Sequence, residues 1–299
     1  GDEVITTPFS FIASSNSIMI EGATSVFVDD DPDTWQIDAE KVAAAITPKT
    51  KAIMPVDVFG SSPDMGAISE LAKKHNLFVL EDCCEALGST YRGVPMGRLG
   101  NAGAFGFYPN KQITTGEGGM VVTDDDEIAR ICRSLRNQGR DPNSGWLAHA
   151  RLGFNFRLPD INCAVGVEQM RRLDEIIAKR KQVAKWYADR LRGDDRYRMQ
   201  KVLDEVELNP FVMVVRLSDD YSREQRDQIL SALHTRGIGC GNYFTPIHLQ
   251  PFYREDLGFK EGDFPVTEAL SARTVALPFH NHLTESEVDF VVDTFQGLL

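Results

Sequence analysis

Over the first 125 residues, short apolar or β-branched runs alternate with segments whose apolar residues recur every three or four positions, the sequence form of βαβ units on a largely parallel sheet. The spacing predicts strands at Glu3 to Thr6, Ser25 to Asp29, Ala52 to Val58, Leu77 to Asp82, Ala104 to Phe107 and Met120 to Thr123. Between them Asp38 to Ile46 and Met65 to His75 read as amphipathic helices, the second with Ile68, Leu71 and Ala72 at i, i+3 and i+4 for one buried face. Asp38 and Asp64 stand in N-cap positions. After Thr123 the pattern changes. Residues 126–136 read as a helix, 137–158 as a Gly- and Asn-containing loop, and Pro159 to about Arg192 as one long helix. The remainder alternates strand (Phe211 to Leu217), helix (Arg223 to Arg236), strand (Gly239 to Phe244), helix (Val266 to Ser271), strand (Thr274 to Leu277) and helix (Glu285 to Phe295).

With 299 residues, 42% hydrophobic and 25% charged, the chain has a globular composition and room for about two domains. The pattern divides it into a large α/β domain with a mostly parallel sheet over 1–165, a bridging helix over 166–195 and a small α+β domain over 196–299. Lysine and arginine number 32 against 44 aspartate and glutamate, a net charge of -12, so a small molecule is expected as partner rather than nucleic acid or an anionic membrane. Cys83, Cys84, Cys132, Cys163 and Cys240 are odd in number, with no CxxC pair, and suggest neither a disulfide framework nor a zinc site; a reducing cytoplasm is expected. No apolar run approaches the roughly 18–20 residues of a membrane span. The chain opens at Gly1-Asp2-Glu3 without Met and already within a strand, and is read as lacking an N-terminal segment.

In α/β sheets ligands sit at the carboxyl ends of strands, where neighbouring connections diverge. Two polar residues occupy such ends. Asp82 closes Leu77-Phe78-Val79-Leu80-Glu81, and Lys111 follows Phe107-Tyr108-Pro109-Asn110, ahead of Thr114-Thr115-Gly116-Glu117-Gly118-Gly119. An Asp and a Lys in one crevice suit pyridoxal phosphate catalysis: lysine supplies the Schiff-base amine, while aspartate keeps the pyridine nitrogen protonated so that the ring can accept electrons.

Glu81-Asp82-Cys83-Cys84-Glu85-Ala86-Leu87-Gly88, Phe107-Tyr108-Pro109-Asn110-Lys111 with Thr115-Gly116-Glu117-Gly118-Gly119, and Gly153-Phe154-Asn155-Phe156-Arg157-Leu158-Pro159-Asp160 resemble the DegT/DnrJ/EryC1/StrS family. These are pyridoxal-phosphate aminotransferases acting mainly on nucleotide-linked keto sugars. The resemblance runs almost from end to end, including Thr7-Pro8-Phe9-Ser10-Phe11 and Tyr243-Phe244-Thr245-Pro246-Ile247-His248. It implies the α/β fold-type-I transferase architecture and places roles on individual residues. Lys111 matches the lysine that carries the cofactor and moves the proton, and Asp82 matches the partner of the ring nitrogen. Phe11 falls where an aromatic ring lies against one face of the cofactor. Glu85 stands where the family commonly has Gln or His near the phenolic oxygen, so either its pKa is raised or it points elsewhere. Asn155 matches a residue that reaches the cofactor phosphate of the neighbouring subunit, implying a homodimer with shared active sites.

The resemblance further implies a ping-pong transamination from an amino acid, L-glutamate, to a keto sugar on a nucleoside diphosphate. Alternatives are a family member aminating a non-nucleotide cyclic ketone, or a non-catalytic scaffold; sugar dehydratases of this type have histidine in place of Lys111. Two departures weaken the expected grip on the cofactor. Gly106 replaces a phosphate-binding serine, and the family's Gly-Thr-x-Ala-Leu helix start has no counterpart here. His248 and His280 are read as structural, and Cys83 and Cys84 as small hydrophobes.

Overall fold

A computed structural model describes residues 1–141 and 145–299; residues 142–144, within the predicted 137–158 loop, lie outside the described residues. Its centre is a six-stranded sheet in the order β2-β1-β3-β4-β7-β8. The strands are β1 (Glu3–Thr6), β2 (Thr24–Phe27), β3 (Thr50–Ile53), β4 (Phe78–Asp82), β7 (Ala102–Gly106) and β8 (Gly119–Val122). The first five run parallel and β8 antiparallel, so the βαβ reading holds and the last connection is the turn that carries Lys111. Register sets Ile5 opposite Val26 and Ile53, and Ile53 opposite Val79. Ile5, Ile53 and Val79 are buried with Val42, Met65 and Ile68 from the helices α2 (Ala39–Ala45) and α3 (Met65–His75). Each such side chain contributes about 1.5–3 kcal/mol through burial.

Both predicted caps are formed: Asp38 Oδ1 accepts from Glu40 N–H at 2.8 Å, and Asp64 Oδ1 from Ala67 N–H at 3.1 Å. A further helix, α1 (Ala13–Ile20), joins β1 to β2, and a short hairpin of β5 (Thr90–Tyr91) and β6 (Val94–Pro95) precedes β7. After β8 come α4 (Asp126–Leu135), α5 (Asp160–Arg171) and α6 (Leu173–Leu191).

The carboxy-terminal part is an antiparallel sheet, β12-β11-β9, formed by β9 (Tyr197–Met199), β11 (Met213–Leu217) and β12 (Thr274–Leu277). Val215, Leu217 and Val275 pack with Tyr187 of α6, Leu233 of α7 (Arg223–Thr235) and Val288 and Phe295 of α10 (Glu285–Gln296). Between β9 and β11 the chain returns to the first part. There β10 (Val206–Glu207) pairs with β5, and Val206 enters the core beside Tyr91 and Met65. Two more helices, α8 (Pro251–Leu257) and α9 (Pro265–Arg273), complete the chain. A buried cluster of Phe9, Trp35, Phe59, Val214, Phe244 and Ala276 links the two parts.

Three expectations are corrected. The predicted helix from Pro159 to Arg192 is two helices. At Arg172 the backbone flattens to φ -100°, ψ 7° and its N–H bonds back to Gln169 O, three residues away, before α6 begins. Gly239 to Phe244 is not a strand: along the free edge of β12 only Gly241 and Ala276 exchange bonds, at 3.1 and 2.7 Å. The strand predicted over Ala52 to Val58 ends at Ile53, and its tail becomes a single bridge from Val56 to Asp82 followed by a tight turn at 58–60.

Candidate active site

Asp82 is the last residue of β4 and lies opposite Ala104 of β7, the strand that runs into the Lys111 turn. That turn closes on itself: Lys111 N–H reaches Tyr108 O at 3.0 Å, Thr115 N–H reaches Phe107 O at 3.0 Å, and Phe107 N–H reaches Gly118 O at 2.9 Å. Gly118 has φ 152°, and a Cβ there would stand 2.5 Å from Thr115 Oγ1, so the turn requires glycine. One strand end therefore carries the acid and the next carries the amine.

The Asp82 carboxylate accepts from Ser14 Oγ at 2.6 Å and from Cys84 N–H at 3.2 Å. Ser14 belongs to α1, whose preceding turn displays Phe11 with 64% of its surface open. Lys111 Nζ lies 3.5 Å from Glu85 Oε1 and 4.5 Å from the centroid of the Phe211 ring. Glu85 is buried and also accepts from Phe59 N–H at 2.9 Å. Burial raises its pKa, while the Lys111 ammonium and the Phe59 N–H pull it down. Glu85 thus faces Lys111 with its carboxyl raised above the usual range, the first of the two alternatives expected for it. Gly106 is close by; a Cβ there would meet Cys84 Sγ at 3.4 Å and Lys111 Cε at 3.9 Å. Asn155 is exposed on the loop before α5.

Beneath Asp82 sits a buried acidic group that sequence reasoning missed. Glu81 accepts from the backbone N–H groups of Gly97 (2.8 Å), Leu99 (2.7 Å) and Gly100, and so anchors the turn leading into β7. Asp57, buried beside it, has its pKa raised well above the usual range, first by desolvation and then by the Glu81 charge. Cys83 is buried against the same pair and its thiol is pushed up by burial, in keeping with its reading as a small core residue. His248 is buried and holds Glu268 Oε1 at 3.0 Å, a structural contact.

Lys111 opens on a cavity of about 330 Å3, shared with Arg172, Arg180 and His280. Arg180 was also missed, although the signal was there: it occupies the buried stripe of α6 with Ile176, Val183 and Tyr187, where an apolar residue is the rule.

Pyridoxal phosphate needs two groups from a protein, an amine for its aldehyde carbon and an acid for its ring nitrogen. The residues on these adjoining strand ends fit it, and Phe11 leaves an open aromatic face. Fold and site together define the class, a pyridoxal-phosphate-dependent aminotransferase. Residues 1–296 match the DegT/DnrJ/EryC1/StrS aminotransferase family, and the chain belongs to it. It is 42% identical to GDP-perosamine synthase of Caulobacter vibrioides over 100% of this chain and 80% of that protein. It is 35% identical to the spore coat polysaccharide biosynthesis protein SpsC of Bacillus subtilis, over 100% of this chain and 79% of that one. Among solved structures, DesV of S. venezuelae in complex with a ketimine intermediate superposes with a TM-score of 0.91 at 33% identity, covering 99% of this chain and 78% of that one. Among the described residues no helix is long and apolar enough to cross a membrane.

Proposed function

We propose that the protein transfers the amino group of an amino acid, L-glutamate by family resemblance, to a keto sugar carried on a nucleoside diphosphate. The observation that carries this reading is the placement of Asp82 at the end of β4 and of Lys111 in the turn that follows the adjoining strand β7, with Lys111 opening on a cleft. Bound pyridoxal phosphate supplies the electron sink. Lys111 would hold the cofactor, take the proton from the α-carbon of the amino acid through Nζ, and return one to the sugar carbon that gains nitrogen. Asp82, steadied by Ser14 and Cys84 N–H, would keep the ring nitrogen protonated. Phe11 would cover one ring face. Glu85 would sit near the phenolic oxygen and hold the Lys111 ammonium between half-reactions.

Asn155 would act in the neighbouring subunit of a homodimer. Two features support this. None of the α5 side chains is buried, and Ile161, Val165, Val167 and Met170 expose an apolar surface beside Phe154 and Phe156. The loop that carries Asn155 also borders a cavity of about 780 Å3 lined by Arg133, Arg136, Arg140 and Arg157 with Trp146, chemistry suited to a diphosphate and a flat base. We retain the division into a large domain over 1–165, a bridging segment over 166–195 made of the end of α5 and all of α6, and a small domain over 196–299, with 200–209 as an excursion back to the first.

Cofactor-loaded protein incubated with L-glutamate and a panel of nucleotide-linked keto sugars should yield 2-oxoglutarate and an amino sugar nucleotide by mass spectrometry. Borohydride treatment and peptide mapping should put the pyridoxyl group on Lys111. Labelling of another lysine, or amination of free cyclic ketones in preference to nucleotide sugars, would overturn the corresponding part.

A further inference from the structure

Three arginines are almost completely buried among the described residues: Arg180, Arg216 and Arg226. Arg216 meets the carboxylate of Asp219 at 2.5 Å, and Arg226 that of Asp227 at 2.7 Å. Arg180 has no acid. Its Nε donates to Pro210 O at 3.0 Å and its Nη2 to Phe211 O at 2.5 Å, and the Phe279 ring lies 4.9 Å from the guanidinium carbon. Nη1 makes no hydrogen bond among the described residues. Burial alone draws the pKa of the group down to about 10, with no opposing carboxylate, so it is still a cation near neutral pH.

A guanidinium taken out of water without a counter-charge is costly, and the cost is recovered when a carboxylate docks on it in two-pronged fashion. Arg180 lines the Lys111 cleft, and no aspartate or glutamate does so among the described residues. Of the neighbouring cations, Lys111 is answered by Glu85 and Arg172 by Glu175. Arg180 also grips the carbonyl of Phe211, whose ring lies against Lys111 Nζ, so the unanswered charge stands one residue away from the reacting amine. The cavity, about 330 Å3, is at the small end of ligand pockets, the scale of an amino acid rather than of a whole nucleotide sugar.

We propose that Arg180 binds a carboxylate of the amino-acid substrate and thereby selects the amino donor. This rests on the reading of the protein as a transaminase of amino acids. The test uses cofactor-loaded wild-type protein with Arg180→Lys and Arg180→Gln, measuring both substrates separately and, by calorimetry, the binding of glutarate. The variants should raise KM for L-glutamate by about 10- to 100-fold, the loss expected for a hydrogen-bonded charge pair, while KM for the keto sugar moves less than about twofold. Glutarate binding should weaken in parallel. L-glutamine and isoglutamine then identify the carboxylate: the amide against which the variants lose nothing further is the one that replaces it.

Equal losses for both substrates, or glutarate bound alike by all three proteins, would mean that Arg180 only supports Phe211, and would overturn the assignment. Should both variants fail to fold, the wild type decides: glutarate binding with none for glutaramide supports the proposal, and equal binding overturns it. Wild-type protein that forms no 2-oxoglutarate from glutamate would instead sink the transaminase reading itself.

Discussion

Asp82, at the end of β4, and Asp30, three residues past β2, are both carboxyls, yet their surroundings give them opposite tasks. Asp82 accepts two hydrogen bonds at the end of β4, and an amide in its place would keep the shape while losing the charge that would hold a protonated ring nitrogen. We expect Asp82→Asn to slow the glutamate half-reaction by about 10²- to 10⁴-fold while cofactor still binds, as followed by stopped-flow absorbance and equilibrium titration. Asp30 is fully buried beside Asp29 and its pKa is raised to about 7, mainly by desolvation. Thr7 Oγ1 donates to it at 2.6 Å, and Thr267 Oγ1 stands 2.7 Å from its other oxygen and 2.9 Å from Asp29. That hydroxyl has one proton, so a protonated Asp30 donating to Thr267 lets Thr267 donate to Asp29. The folded chain then holds a proton that the unfolded chain has released, and stability falls as pH rises from the ordinary aspartate value, near 4, through 7. Asp30→Asn should flatten this slope and stabilise the protein by roughly 1–3 kcal/mol above pH 7, as read from urea midpoints between pH 5 and 8. Lys111 and Asp82 were legible in the sequence because strand ends can be located from pattern alone. Ser14, Glu81 and Asp57 were not, since their partners come from segments that only the folded chain brings together.

The helix α9 shows the same limit at the scale of elements. Pro265 marks its start, but the local cap residue, Phe264, has no side chain to offer the first N–H groups. Asp29 supplies it from 237 residues away, accepting from Val266 N–H at 2.9 Å and Thr267 N–H at 2.8 Å. Removing this cap with Asp29→Ala should cost about 1–2 kcal/mol and release the Val266 and Thr267 amides to faster hydrogen exchange, with α10 little changed. The parallel-sheet helices and strands were readable because burial imposes a period, and α3 matches its predicted bounds of Met65 to His75. Helix α1 escaped notice because its Ser-Ser-Asn-Ser run has weak helix preference and no side-chain cap, and it buries two of those serines, Ser14 and Ser15. Strands β5, β6 and β10 are two residues long, too short to show any alternation. The break at Arg172 carries neither glycine nor proline, the usual punctuation.

For the whole molecule, α5 leaves the apolar side chains of Ile161, Val165, Val167 and Met170 open, and the proposed homodimer would cover them. Cofactor-loaded protein should sediment as a dimer, and the double variant Ile161→Glu, Val165→Asp should sediment as a monomer with turnover reduced at least about 100-fold, because a well-placed catalytic contact is lost. Wild-type monomers with full turnover would remove the shared-site reading. The excursion at β10 bears on how the protein is made. Asn209 N–H bonds Ser89 Oγ across 120 residues, and Val206 fills the core beside Tyr91 and Met65. During synthesis the parallel sheet emerges first, at about 5–20 residues per second, but its core stays open until residue 207 arrives. The sheet is left for several seconds with unfilled apolar surface beside Tyr91 and Met65, where chaperones would meet the nascent chain.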